Sequence, residues 1–301
     1  MPEEEIMPEN AGVRFRFKPV GFAIASLLII FFLYQLVGGG MMLYLFGIVP
    51  SADQTTAFRF ATMAAEIMFI LVPAYFLSRI QTMQWKRLLR LRKTDWYLVL
   101  LAVVGMVSLQ QLLEIYLYLQ GLIPLPAPVK EFVTQYQQAI EQAYKVLITA
   151  RSPLEFALVL LIIAVTPAIC EETLFRGLVQ GNFELSMSRR KAMIWTGLIF
   201  GLYHLDIFTL VALCALGIYL SYLVSVSESI IVPMAAHFTN NFFSASVLYI
   251  TGKDSFVAPS GAPPLSVAYI IGWSAILGLI FATTVKLTQD HAHNTHEVKA
   301  E

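Results

Sequence analysis

The sequence predicts an all-α, polytopic membrane protein of about eight transmembrane helices. Two bulk observations carry this. The 301 residues are 57% hydrophobic and only 13% charged, where a soluble domain carries about 25% charge. Eight apolar stretches are also long enough to be read as crossings of about 30 Å of hydrocarbon. The formal net charge is zero, and no basic-aromatic cluster offers a base-stacking surface, so nucleic acid is not an expected partner. The lipid bilayer is the expected partner.

The first stretch, 20–48, follows a segment that runs from acidic (Glu3, Glu4, Glu5) to basic (Arg14, Arg16, Lys18). It is too long for a removable signal sequence and reads as the first span; Gly38, Gly39 and Gly40 are expected to bend or end it. The second stretch covers 57–78. A basic segment from Arg79 to Lys93, with Trp85 inside it, then reads as a cytoplasmic loop resting on headgroups, and 96–119 forms the third span.

Residues 124–152 differ in kind. Apolar residues at helical intervals (Phe132, Tyr136, Ile140, Tyr144, Leu147) among charges and glutamines predict an amphipathic surface helix. The fourth span runs from Leu154 to about Leu185, with a kink expected at Pro167. Four more follow at 192–205, 207–226, 230–250 and 265–287, the last two separated by a Gly- and Pro-rich loop. Lysine and arginine concentrate at 79–93 and 186–191, which places those loops and both termini in the cytoplasm. His291, His293 and His296 read as an exposed, disordered tail.

Three parts follow: 1–153, three spans plus the amphipathic segment; 154–250, a core of four helices; and 251–301, the last span and tail. Cys170 and Cys214 lie in apolar runs and read as small buried hydrophobes. Arg59, Glu66 and Glu114 occur singly and read as structural, Glu66 with the option of lining a cavity.

Chemistry concentrates at Thr166 to Gly177, TPAICEETLFRG, where two glutamates and an arginine interrupt hydrocarbon. An ionised side chain at that depth costs about 2.5–3.5 kcal/mol on insertion scales. Glu172 and Arg176 are four apart and can pair on one helical face, leaving Glu171 the freer carboxylate. His204 ends the fifth span, four after Phe200; His237 and Asn241 share a face of the seventh, while Asn240 points elsewhere. Counted from Ser188, Glu171 lies 17 residues back and His204 16 forward, both roughly 25 Å along their helices. His237 is only roughly 15 Å in, so tilt must bring it to the same depth.

A carboxylate beside an imidazole can activate water, and a second His with Asn can receive an oxyanion. The set Glu171, His204 and His237 can also hold Zn2+ with an open fourth position. Acyl hydrolysis fits both. EETLFR, Phe200 to His204, and His237 to Asn241 resemble the EExxxR, FxxxH and HxxxN motifs of the CPBP intramembrane proteases, the CAAX-protease and bacteriocin-processing group also called Abi. The resemblance covers about residues 154–250. It implies an intramembrane endopeptidase with a water-filled cavity open to the cytoplasm, whose partner would be a membrane-associated peptide or protein substrate. Glu171 and His204 would activate water, His237 and Asn241 would bind the oxyanion or a metal, and Glu172 and Arg176 would support the site. The family is described both as metalloproteases and as glutamate-dependent proteases. It also includes scaffold and immunity proteins, so a non-catalytic membrane protein of this fold is the alternative. A proton-coupled transporter is disfavoured because no inverted repeat is present.

Overall fold

A computed structural model describes residues 14–251 and 266–297, in which every regular element is helical. The acidic Glu3 to Glu5 segment and the Gly- and Pro-rich connector lie outside the described residues. Nine helices organise the described chain: α1 Pro19–Phe46, α2 Thr55–Gln81, α3 Trp96–Gly121, α4 Ala127–Ile148, α5 Pro153–Phe183, α6 Arg189–Tyr203, α7 Leu210–Ser227, α8 Ile231–Thr251 and α9 Val267–Glu297. Six are long and apolar enough to cross a membrane by length and composition: α1, α2, α3, α5, α7, and α9 over Val267–Asn294. The other two stretches expected to cross are also helical. At 15 residues, α6 spans only about 22 Å. In α8, apolarity is diluted by His237, Thr239, Asn240, Asn241 and Ser244.

The glycine triplet does not end α1. A π-helical segment, Phe32–Gly38, absorbs it and the helix continues to Phe46, stopping where Gly47 takes φ +72°, a left-handed conformation that costs glycine little. Three further π segments occur: Ile67–Leu71 in α2, and Leu161–Val165 and Thr173–Val179 in α5.

Packing is closest between α6 and α7. A Cβ at Gly197 would lie 2.5 Å from the backbone nitrogen of Ile218, and one at Gly217 would lie 2.6 Å from the Gly197 carbonyl. Small residues let the two backbones touch, as is usual between membrane helices. Helix α3 packs along both α8 and α9.

The basic loop departs from expectation. Its centre turns inward: Leu88, Leu89 and Arg90 are buried, with Leu88 and Leu89 seated against Gly181 and Gly177 of α5. Arg90 pairs with Glu184 and, at 3.7 Å, with Glu228. A buried cation needs a partner, and Glu184, the residue that caps the end of α5, supplies it. The histidine tail also differs, since α9 continues to Glu297 and His291 Nε2 lies 2.8 Å from Asp95 Oδ2. Asp95 caps α3, accepting from the Tyr97 N–H at 3.0 Å. That N–H, with the His291 ring, holds the Asp95 carboxyl below its usual range.

The amphipathic helix is present as α4. Arg59 of α2 caps its end, donating to the carbonyls of Val146, Leu147 and Thr149 and pairing with Glu155 at 2.7 Å. Tyr136 stacks on Phe132 and meets Phe208, in the loop after His204, at a tilt. The side chains of Ile140 and Tyr144 lie outside the described residues.

Candidate active site

The site is built on α5 where two irregularities flank one regular stretch. Thr166–Glu172 is α-helical, with π segments immediately before and after it. Pro167 is the local cause on one side. It has no N–H to offer the carbonyl of Ile163, four residues back. Asn241 Nδ2 donates to that carbonyl at 3.0 Å, and Asn240 Nδ2 donates to Asn241 Oδ1 at 3.0 Å. Asn240 therefore turns towards Asn241 and not elsewhere. The two asparagines tie α8 to the interrupted backbone of α5.

The two glutamates separate sharply. Glu172 is fully buried, and its Oε1 receives Arg176 Nη1 at 3.0 Å and His237 Nδ1 at 2.8 Å. Arg176 is equally buried; its Nη2 donates to the Gly217 carbonyl at 2.9 Å, and its guanidinium lies 4.4 Å from the centroid of Phe200. The intramembrane charge thus carries a counter-charge, hydrogen bonds and an aromatic face.

Glu171 is left partly open. Its side chain is 18% exposed, and its Oε2 lies 3.9 Å from Nε2 of His204, itself 31% exposed. The His204 ring is oriented from behind, with Nδ1 2.7 Å from the Phe200 carbonyl. A carbonyl only accepts, so Nδ1 carries the proton. In the neutral ring Nε2 then presents a lone pair beside Glu171.

Of the six residues proposed from sequence, Glu171 and His204 form one pair and Glu172, Arg176 and His237 form another group. Asn241 engages the α5 backbone. His237 reaches Glu172 at 2.8 Å and not the Glu171–His204 pair. Among the described residues no three His, Cys, Asp or Glu side chains gather as a metal-binding group. Glu171, His204 and His237 therefore do not fit a zinc site as arranged, and no step is routed through a metal.

Sequence reasoning treated Phe200 only as a motif letter. It touches Phe175, His204, His237 and Arg176, so it is the apolar centre of the site. The Gly217 carbonyl was also missed; the glycine, one turn past Leu213, was its available signal.

A family model described as Type II CAAX prenyl endopeptidase Rce1-like matches residues 153–243. Over this stretch the chain is similar to the CPBP (Abi) group, to which that family model corresponds. The Rce1-like stretch holds all six candidate residues and ends within α8. No curated protein and no solved structure shows significant similarity to the chain.

Proposed function

We propose that this chain is an intramembrane endopeptidase that hydrolyses a peptide bond in a hydrophobic or membrane-tethered substrate. One observation carries the reading: of two adjacent glutamates, Glu172 is locked by Arg176 and His237 while Glu171 stays open beside His204. The family, whose description names a CAAX endopeptidase, supports the reaction type.

In this reading a water lies against Glu171 and the Nε2 face of His204. As its oxygen bonds to the carbonyl carbon, its proton passes to Glu171; when the C–N bond breaks, that proton goes to the amine nitrogen. His237 uses Nδ1 on Glu172, leaving Nε2 for the oxyanion, a role that requires the doubly protonated ring. Asn241 positions α5 through Ile163. All eight apolar helices cross the membrane, α6 and α8 being sheltered by α7 and α3, and both termini lie in the cytoplasm. Residues 154–250 act as the catalytic core between the N-terminal spans and the last span.

The test is cleavage of a pooled membrane-peptide library by purified wild type and Glu171→Gln, with and without a chelator. Cutting lost in folded Glu171→Gln supports the assignment; unchanged cutting overturns it. A chelator that stops wild-type cutting would overturn the metal-free step.

A further inference from the structure

The two ends of the helix bundle are built differently. At one end the basic segments meet: the Arg16 N–H donates to the Gln81 carbonyl at 2.9 Å, the Ile230 N–H to the Arg90 carbonyl at 3.2 Å, and Arg189 Nη1 to the Ser225 carbonyl at 2.9 Å. The start of α1, the loop after α2, the turn before α6 and the turn after α7 therefore share one face. At the other end Gln120 Nε2, in the last turn of α3, donates to the Phe208 carbonyl at 3.0 Å, and the Tyr136 hydroxyl of α4 donates to the Leu205 carbonyl at 3.5 Å. The connector between α6 and α7 belongs to that opposite face.

Between the site and the basic face the bundle is closed. Every residue from Glu172 to Glu184 is buried, roughly 18 Å of helix. Leu88 and Leu89 seat against the glycines of this stretch. Beneath them Glu184 receives Arg90, Gln180 and Ser225, and Glu228 receives Arg189, a layer of cross-linked polar side chains. Towards the opposite face the site ends at once. The His204 N–H bonds to the Gly201 carbonyl at 3.3 Å, and Leu205 turns to φ +55°, a left-handed conformation that stops α6. His204 is thus the last residue before the connector, where Leu205 and Ile207 are exposed. It stands roughly 24 Å along α6 from Ser188, but three residues from Ile207.

We propose that the Glu171–His204 pair opens to the face opposite the basic loops, so that its substrate is a polypeptide presented from that side of the membrane. Lysine and arginine gather on the cytoplasmic face of membrane proteins. With the topology assigned above, the substrate is a hydrophobic or membrane-tethered segment of a translocated protein, and the cavity does not face the cytoplasm as the family resemblance implies. Water and peptide reach Glu171 past the connector without crossing the ion-paired layer. The substrate class rests on the peptidase reading and the compartment on the topology; the direction of opening rests on neither.

The experiment is labelling of full-length His204→Cys and Glu171→Cys in sealed membrane vesicles of known sidedness. The reagent is a permanently cationic methanethiosulfonate, which does not cross the bilayer and reacts with thiolates in contact with water; mass spectrometry separates the new cysteines from Cys170 and Cys214. Ser188→Cys and Ile207→Cys mark the two faces. Both site cysteines are expected to react from the face that labels Ile207→Cys, and their labelling is lost when the reagent is confined to the Ser188 face. Either one labelled from the Ser188 face, or both unlabelled while Ile207→Cys reacts, overturns the proposal. Ser188→Cys reacting only from outside the cell would overturn the compartment, and with it the translocated substrate, but not the direction of opening. No peptide is cut in this assay, so its failure is distinct from failure of the peptidase reading. The pooled peptide library supplied to one face of such vesicles extends the test: cutting from the Ile207 face supports the proposal, and cutting with only the Ser188 face supplied overturns it.

Discussion

His237 Nδ1 lies 2.8 Å from Glu172 Oε1, on the same oxygen that receives Arg176. That oxygen joins α5 and α8, and Arg176 extends the link to α7 through Gly217. Glu172 is therefore the pin of three helices, while the Oε2 of its neighbour Glu171 has no hydrogen-bond partner and lies 3.9 Å from His204.

Glu172→Ala should destabilise the protein by about 3–5 kcal/mol, the cost of breaking a buried ion pair from one side. Glu171→Gln should leave thermal stability near wild type while lowering cleavage by about 100- to 10,000-fold. Thermal unfolding in detergent, run beside the peptide assay, separates the two; equal stability losses would refute the division of labour.

Asn241→Ala should cost about 1–3 kcal/mol because the Ile163 carbonyl loses its donor. Pro167→Ala restores an N–H four residues on, so the double variant should recover part of that loss. A double-mutant cycle measures the coupling; additive losses would show that the asparagine does not act through this carbonyl.

Gly197→Ala should cost about 1–3 kcal/mol through overpacking, since its new Cβ meets the backbone of Ile218 at 2.5 Å. Gly278→Ala, where a Cβ meets nothing within 4 Å, should instead gain about 0.5–1 kcal/mol from the higher helix propensity of alanine. Unfolding midpoints of the two variants make the comparison.

The Asp95 to His291 contact predicts an acid dependence. Asp95 is held below its usual range by the Tyr97 N–H and then by His291, so its contribution is present above the unfolded carboxyl value of about 3.9 and is lost as pH falls through the lower folded value. The Tm difference between wild type and Asp95→Asn should therefore shrink below about pH 4. A gap that persists in acid would exclude the carboxylate as its source.

The helices and one half of the site were legible in the sequence, for a physical reason. Hydrocarbon tolerates so few polar groups that each announces itself, and the equal distances of Glu171 and His204 from Ser188 foretold their meeting. The partner of His237 was not legible, since residue counting fixes position along a helix but not which of two adjacent carboxylates on α5 a side chain from another helix meets. The π segments were equally hidden: they alter register without altering composition. Arg90 misled because a cation in a basic loop reads as solvated, and only the carboxylates of Glu184 and Glu228, distant in sequence, reveal its burial.

The inward turn at Leu88 to Arg90 bears on what an autonomous fragment of this protein can be. Similarity begins at residue 153, but cutting the chain there would strip Glu184 and Glu228 of Arg90, strip Glu155 of Arg59, and uncover the surfaces of Gly177 and Gly181. The buried ion pairs that close the matched segment are thus completed from outside it, by Arg59 of the second span and Arg90 of the loop that follows it.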